Sequence, residues 1–271
     1  RRILPGLLVC LLLSVLVLGP LMTTLPLGVY LTDPDTWRFL LVNGSLLGFR
    51  ADLPGVFAGN PFPAAAGSIW TLSHEIACYA GIAVLGASGV LARRSVATAA
   101  LSLALVAALL LPGSGLAVPG RVALFSEMAV PFAVGALFCL WRDRILLAPI
   151  GVLGLAVAAF VSAGSALYDA VLPVALVYGT LTLGFGPWAS RFGHWIRHDY
   201  SYGVYIYAFP VQGLVVASAG PMGPWMNIAL ALPPTLVLAA LSWHCVEKPM
   251  MTRKPFRAPI AMSDERAIRS D

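Results

Sequence analysis

An all-α fold, a polytopic bundle of about eight membrane-spanning helices, is what this sequence predicts, and three observations predict it. Hydrophobic residues make up 59% of the 271 residues and charged residues only 11%, with a mean hydropathy of +0.86; soluble domains carry about 25% charged residues. Several apolar runs approach the roughly 20 residues that cross a bilayer. The basic residues sit in short segments between those runs.

The first span is expected over about Ile3 to Leu25, with Pro5 tolerated in its first turn and a kink or end at Gly19-Pro20. A long non-spanning region follows, about Pro26 to Ser68. Within it Asp33 can cap a short helix with Pro34 at its first position, too short and too charged to span and therefore expected to lie in the interface. From Leu53 to Pro63 the residues are turn formers with apolar punctuation, and an ordered loop of this length usually has a job. Further spans are expected at about Ile69 to Ala92, Ser95 to Leu111, Val122 to Trp141, Ile145 to Ala163, Leu167 to Phe185, Tyr200 to Ala219 and Trp225 to Val246. Gly135, Gly151, Gly154 and Gly203 fit close packing between helices. The membrane domain is expected to occupy residues 1–247, and the charged, proline-spotted tail 248–271 to be cytoplasmic and disordered.

Eight spans place both ends on one side. On that side fall fourteen of the seventeen Lys and Arg, leaving only Arg38, Arg50 and Arg121 on the other. That asymmetry predicts a multi-pass protein of the inner (plasma) membrane with both ends cytoplasmic and the long loop outside. It also accounts for the net charge of +5 without nucleic acid as a partner; the lipid bilayer is the partner expected. Cys10, Cys78, Cys139 and Cys245 each fall inside an apolar segment and read as small hydrophobes. The chain opens on Arg1-Arg2 without a methionine and reads as a cut through a longer protein.

The chemistry concentrates in Gly67-Ser-Ile-Trp-Thr-Leu-Ser-His-Glu-Ile-Ala-Cys-Tyr79. Ionisable residues inside hydrocarbon are costly, so their default reading is functional. Glu75 falls about 7–8 Å along the helix from Trp70, a residue suited to the headgroup level. It can act as a general acid or base or make a structural hydrogen bond to another helix. Glu127, near the start of its span, can pair with it at the outer mouth or snorkel to the interface. His74-Glu75-Ile76-Ala77-Cys78 is a near miss of the zinc motif H-E-x-x-H, but no third ligand is evident, so no metal is expected. Tyr202, Tyr205 and Phe209 share one helix face, which reads first as packing, and Asp199 is placed to cap their helix. Arg1 and Arg2 can anchor the chain at the interface or hold phosphates in bidentate fashion.

Four stretches together resemble the integral-membrane acyltransferases of the type-three, O-acetyltransferase class. These are Arg1-Arg2-Ile3-Leu4-Pro5; Leu53-Pro54-Gly55-Val56-Phe57 leading to Ser68-Ile69-Trp70-Thr71-Leu72, Glu75 and Tyr79; Asp199-x-Ser201-Tyr202-Gly203-x-Tyr205; and Val246-Glu247-Lys248-Pro249. The resemblance implies transfer of an acyl group, usually acetyl, from acyl-CoA as co-substrate to a hydroxyl of a carbohydrate-type acceptor, with no tightly bound cofactor. It implies Glu75, His74 and Glu127 as catalytic candidates and Arg1 and Arg2 as donor-binding ones. Trp70, Tyr79, Asp199, Tyr202 and Tyr205 become the structural or substrate-facing group. The family usually begins with further spans bearing an arginine and a catalytic histidine, which nothing in this chain supplies. Gly67 stands where the family often has asparagine, and His74 where proline, serine, valine or tyrosine is usual. The rival reading is a transporter or flippase, in which intramembrane carboxylates carry protons or substrate.

Overall fold

The computed structural model describes residues 2–111, 114, 117–186, 189 and 198–252. Among the described residues, besides a 3₁₀ turn at Val90–Ala92, there are ten helices: α1 (Ile3–Met22), α2 (Leu27–Thr32), α3 (Pro34–Ser45), α4 (Trp70–Ala87), α5 (Arg94–Leu110), α6 (Gly120–Leu140), α7 (Pro149–Ser162), α8 (Tyr168–Phe185), α9 (Ser201–Ala219) and α10 (Pro224–Thr252). A helix coincides with each of the eight expected spans. Five of them (α1, α6, α8, α9 and α10) are long and apolar enough to cross a membrane. The shorter α5 and α7 have 17 and 14 residues, and α4 is diluted by Thr71, Ser73, His74 and Glu75 in its first two turns. Outward apolar side chains such as Leu103, Ile150, Phe160, Leu183 and Trp225 are more than half exposed.

Two of the prolines inside these helices follow a wider turn. In α1 a wide π-turn over Ser14–Leu18 precedes Pro20, and in α10 another over Trp243–Glu247 precedes Pro249. A proline lacks the N–H and crowds the carbonyl four residues back; the wider turn makes room, so α1 runs on to Met22 instead of ending at Gly19. The second π-turn also swings Glu247 inward, where it is fully buried.

Asp33 caps α3 as expected, accepting from the Asp35 N–H at 2.8 Å. The placement of α3 in the interface needs correction, because α2 and α3 fold back along α1. Tyr30 donates its hydroxyl to the Val15 carbonyl (3.0 Å), Phe39 and Thr36 are buried, and Gly44 sits against Leu8 and Leu11. The Asn43 amide closes the turn by pairing with both backbone groups of Arg50.

The chain then climbs to the far end of α1, where Val56 bridges Thr23, and descends along α9. Asn60 donates to the Gly213 carbonyl (2.9 Å), Gly67 lies against the Phe209 ring, and Tyr205 donates to the Ser68 carbonyl (2.7 Å). The apolar residues that punctuate this turn-rich stretch are buried, among them Leu53, Val56, Phe57 and Ala64–Ala66. Trp70 therefore does not mark the outer end: α4 starts beside Tyr205, about 6 Å along α9 from Ser201.

Of the four glycines expected to permit close packing, two do so. A Cβ on Gly203 would meet Ala239 Cα at 2.7 Å and one on Gly151 would meet the Tyr178 ring, whereas Gly135 and Gly154 have open space. Gly203→Ala should destabilise the protein by about 1–3 kcal/mol, and Gly154→Ala should be neutral or stabilising by up to about 1 kcal/mol. Thermal melting of the two variants in one detergent checks both signs.

Candidate functional site

Two polar centres stand at the two faces of the Tyr205 contact. The first follows from helical spacing on α4. Glu75 and Tyr79 are one turn apart and share a face, and the Tyr79 hydroxyl donates to Glu75 Oε1. Tyr205 has a single proton, which goes to the Ser68 carbonyl, so the Thr71 hydroxyl donates to the Tyr205 oxygen at 2.9 Å. Thr71, Glu75 and Tyr79 thus form a strip beside the start of α9, with Cys78 buried at its edge.

His74 turns away from this strip. Its Nδ1 lies 3.1 Å from the Trp70 carbonyl and donates to it, and its ring stacks on Phe125 and meets Trp70 edge-on. The expected carboxylate pair is not formed. Phe125 and Phe132 of α6 face α4 against His74 and Tyr79; Glu127, two residues past Phe125, points to the opposite side of the helix and is exposed, without a hydrogen bond or ion pair among the described residues. Among those residues there is also no group of three or more His, Cys, Asp or Glu that could hold a metal.

The second centre ties three helix ends together. Arg2 donates from Nε to Glu247 Oε2 (2.8 Å), from Nη1 to Asp199 Oδ2 (2.6 Å) and from Nη2 to the Asp199 carbonyl (2.7 Å). Its guanidinium also lies over the rings of Trp243 (5.0 Å) and Tyr202 (5.8 Å). Glu247 accepts a further bond from the Ser242 hydroxyl (2.9 Å), and Tyr202 donates to the Ile3 carbonyl (2.7 Å). Three of the five N–H donors of Arg2 are engaged, and two carboxylates already neutralise its charge. Arg1 lies outside the described residues. Asp199 caps α9 from one residue further out than expected, accepting from the Ser201 N–H and hydroxyl.

The Arg2 guanidinium, and after it Ser201, holds the Asp199 carboxyl down at about 2, against an ordinary 3.8. A carboxyl whose folded pKa lies below its unfolded one contributes stability fully above the unfolded value, lost as pH falls through the folded one. Asp199→Asn should therefore cost the same stability at pH 5 and pH 8. The cost should shrink below about pH 4 and vanish only below about pH 2, which a melting series across pH tests.

Sequence reasoning missed Glu247 as a site residue, although a carboxylate at the end of an apolar span was a usable signal. It also missed Arg94, which grips Asp143 with two bonds and stacks on Trp141 at 4.3 Å, holding the Asp143 carboxyl down at about 2. Arg94 and Arg142 stand at one end of an apolar groove of about 860 Å³ between α4, α5 and α6, which Tyr79 also lines.

Fold and site together define a helical chain with membrane-length apolar helices and a hydrogen-bonded glutamate–tyrosine pair among them. Over 57 residues, 21% of this chain, the sequence is 51% identical to a protein named O-acetyl transferase from Shigella phage Sf6, and the matched stretch is 17% of that relative. No family model and no solved structure matches the chain.

Proposed function

We propose that this chain works in the membrane as an O-acyltransferase, moving an acyl group, acetyl by preference, from acyl-CoA to a hydroxyl of a carbohydrate-type acceptor. The observation that carries the reading is the 51% identity to a protein named O-acetyl transferase. The placement of Glu75 agrees with it, because a carboxylate paired to a phenol can orient or deprotonate an attacking hydroxyl. Esterification then forms a bond from the acceptor oxygen to the acyl carbon, breaks the thioester and returns the proton to the CoA thiolate. Arg1 and the two N–H groups of Arg2 that have no partner among the described residues are candidates for the donor's phosphates. In this reading the chain sits in the inner membrane with both ends cytoplasmic, the orientation that the arginine asymmetry favours.

Membranes carrying the full-length protein should transfer label from radiolabelled acetyl-CoA into a base-labile ester. Solute uptake without ester formation would instead favour the transporter reading.

A further inference from the structure

At the other end of α9 from Arg2 lies a pocket of about 210 Å³ that none of the chemistry above uses. Three side-chain amides line it: Asn60 from the descending loop, Gln212 from α9 and Asn227 from α10. The rings of Phe62 and Phe209 form its wall, packed edge to face at 6.0 Å. Gln212 is a polar residue in the middle of an apolar, membrane-length helix, an expensive position.

The hydrogen bonding of the pocket is one-sided. Asn60 and Asn227 each donate an N–H to a backbone carbonyl, of Gly213 and Gln212 respectively. Asn227 Oδ1 is buried with no partner, and the Gln212 side-chain amide makes no hydrogen bond among the described residues. A buried amide oxygen left without a donor costs free energy, so such an atom calls for a partner. No charged side chain lines the pocket. An anion would find no cation there, a cation no carboxylate, and a purely apolar ligand would leave the amide oxygens bare. A neutral ligand rich in hydroxyls, with one apolar face to lay on Phe62, meets each requirement.

We propose that this pocket is a subsite for one ring of a neutral sugar, bound by hydroxyl donors to Asn227 Oδ1 and the Gln212 amide. If the acyltransfer reading holds, this is where the acceptor docks. Phe209, which lines the pocket, also packs against Gly67 beside the Ser68–Tyr205 contact, where Ser68 Oγ is likewise buried without a partner among the described residues.

The test is photolabelling of the solubilised full-length protein with benzophenone glycosides of glucose, galactose, N-acetylglucosamine and rhamnose, with modified peptides mapped by mass spectrometry. At least one glycoside should label the segments holding Phe62 and Met222, and its unlabelled methyl glycoside should compete. Asn227→Leu and Gln212→Leu should each reduce labelling at least tenfold, and Asn227→Asp, which keeps acceptor oxygens, should retain most of it. Equal melting temperatures of variants and wild type exclude misfolding as the cause. No labelling of these segments by any glycoside, equal labelling by a benzophenone alcohol without the sugar, or labelling unchanged in both leucine variants would each overturn the proposal. Acetyl-CoA consumption, measured separately, reports on the acyltransfer reading alone.

Discussion

Arg2→Ala should cost about 3 kcal/mol of stability, the largest loss expected from a single substitution. Glu247 is fully buried and Arg2 only 24% exposed along its side chain. Removing one partner of such a pair strands the other charge in a low dielectric, which costs about 3–5 kcal/mol; the partial exposure of Arg2 sets the expectation at the low end. The same logic predicts a rescue. Adding Glu247→Gln to Arg2→Ala removes the stranded charge while keeping an acceptor for Ser242, so the double variant should be more stable than Arg2→Ala alone. Asp199 cannot compensate, since it is itself a carboxylate that loses the same cation. Thermal melting of the four proteins of this cycle in one detergent gives the coupling, and a double variant no better than the single one would mean that Glu247 is not held as a charge.

The largest effect on activity is expected at Glu75. Glu75→Gln keeps the shape and can still accept from Tyr79, but it can neither take a proton nor hold a charge. A general base contributes about 10²–10⁴-fold to rate, so acyl transfer should fall by that factor with expression and melting unchanged. Tyr79→Phe should fall less, because it removes the hydrogen bond that orients the carboxylate and leaves the carboxylate itself. Glu127→Gln, on the opposite face of α6 from α4, should leave the rate as it was. A result in which Glu127 matters and Glu75 does not would reverse the assignment drawn from the helix faces.

Much of the fold was legible because it is written in local residues. Apolar runs punctuated by Gly and Pro located the eight long segments, and Asp33 with Pro34 announced the start of α3. The placement of the loop after α3 was not legible. Its buried positions are small or isolated apolar residues, such as Ala65, Ala66 and Val56, whose partners on α1 and α9 lie far away in sequence. Without those contacts Trp70 reads as an outer interface anchor; with them it sits near the Arg2 end of α9. The site was half legible for the same reason. Spacing of four residues put Glu75 and Tyr79 on one face. The rotation of α6, which sends Glu127 away, and the π-turn that turns Glu247 in toward Arg2 are properties of packing that periodicity does not carry.

The most direct test of the central claim is sided acyl transfer by the full-length protein in sealed inverted vesicles, with radiolabelled acetyl-CoA supplied only to the outward-facing cytoplasmic surface. The account predicts a base-labile acetyl ester on a hydroxyl inside the vesicles, formed by the wild type and reduced at least a hundredfold by Glu75→Gln. An ester formed equally well by both proteins, or no acetyl-CoA-dependent ester at all, would contradict it.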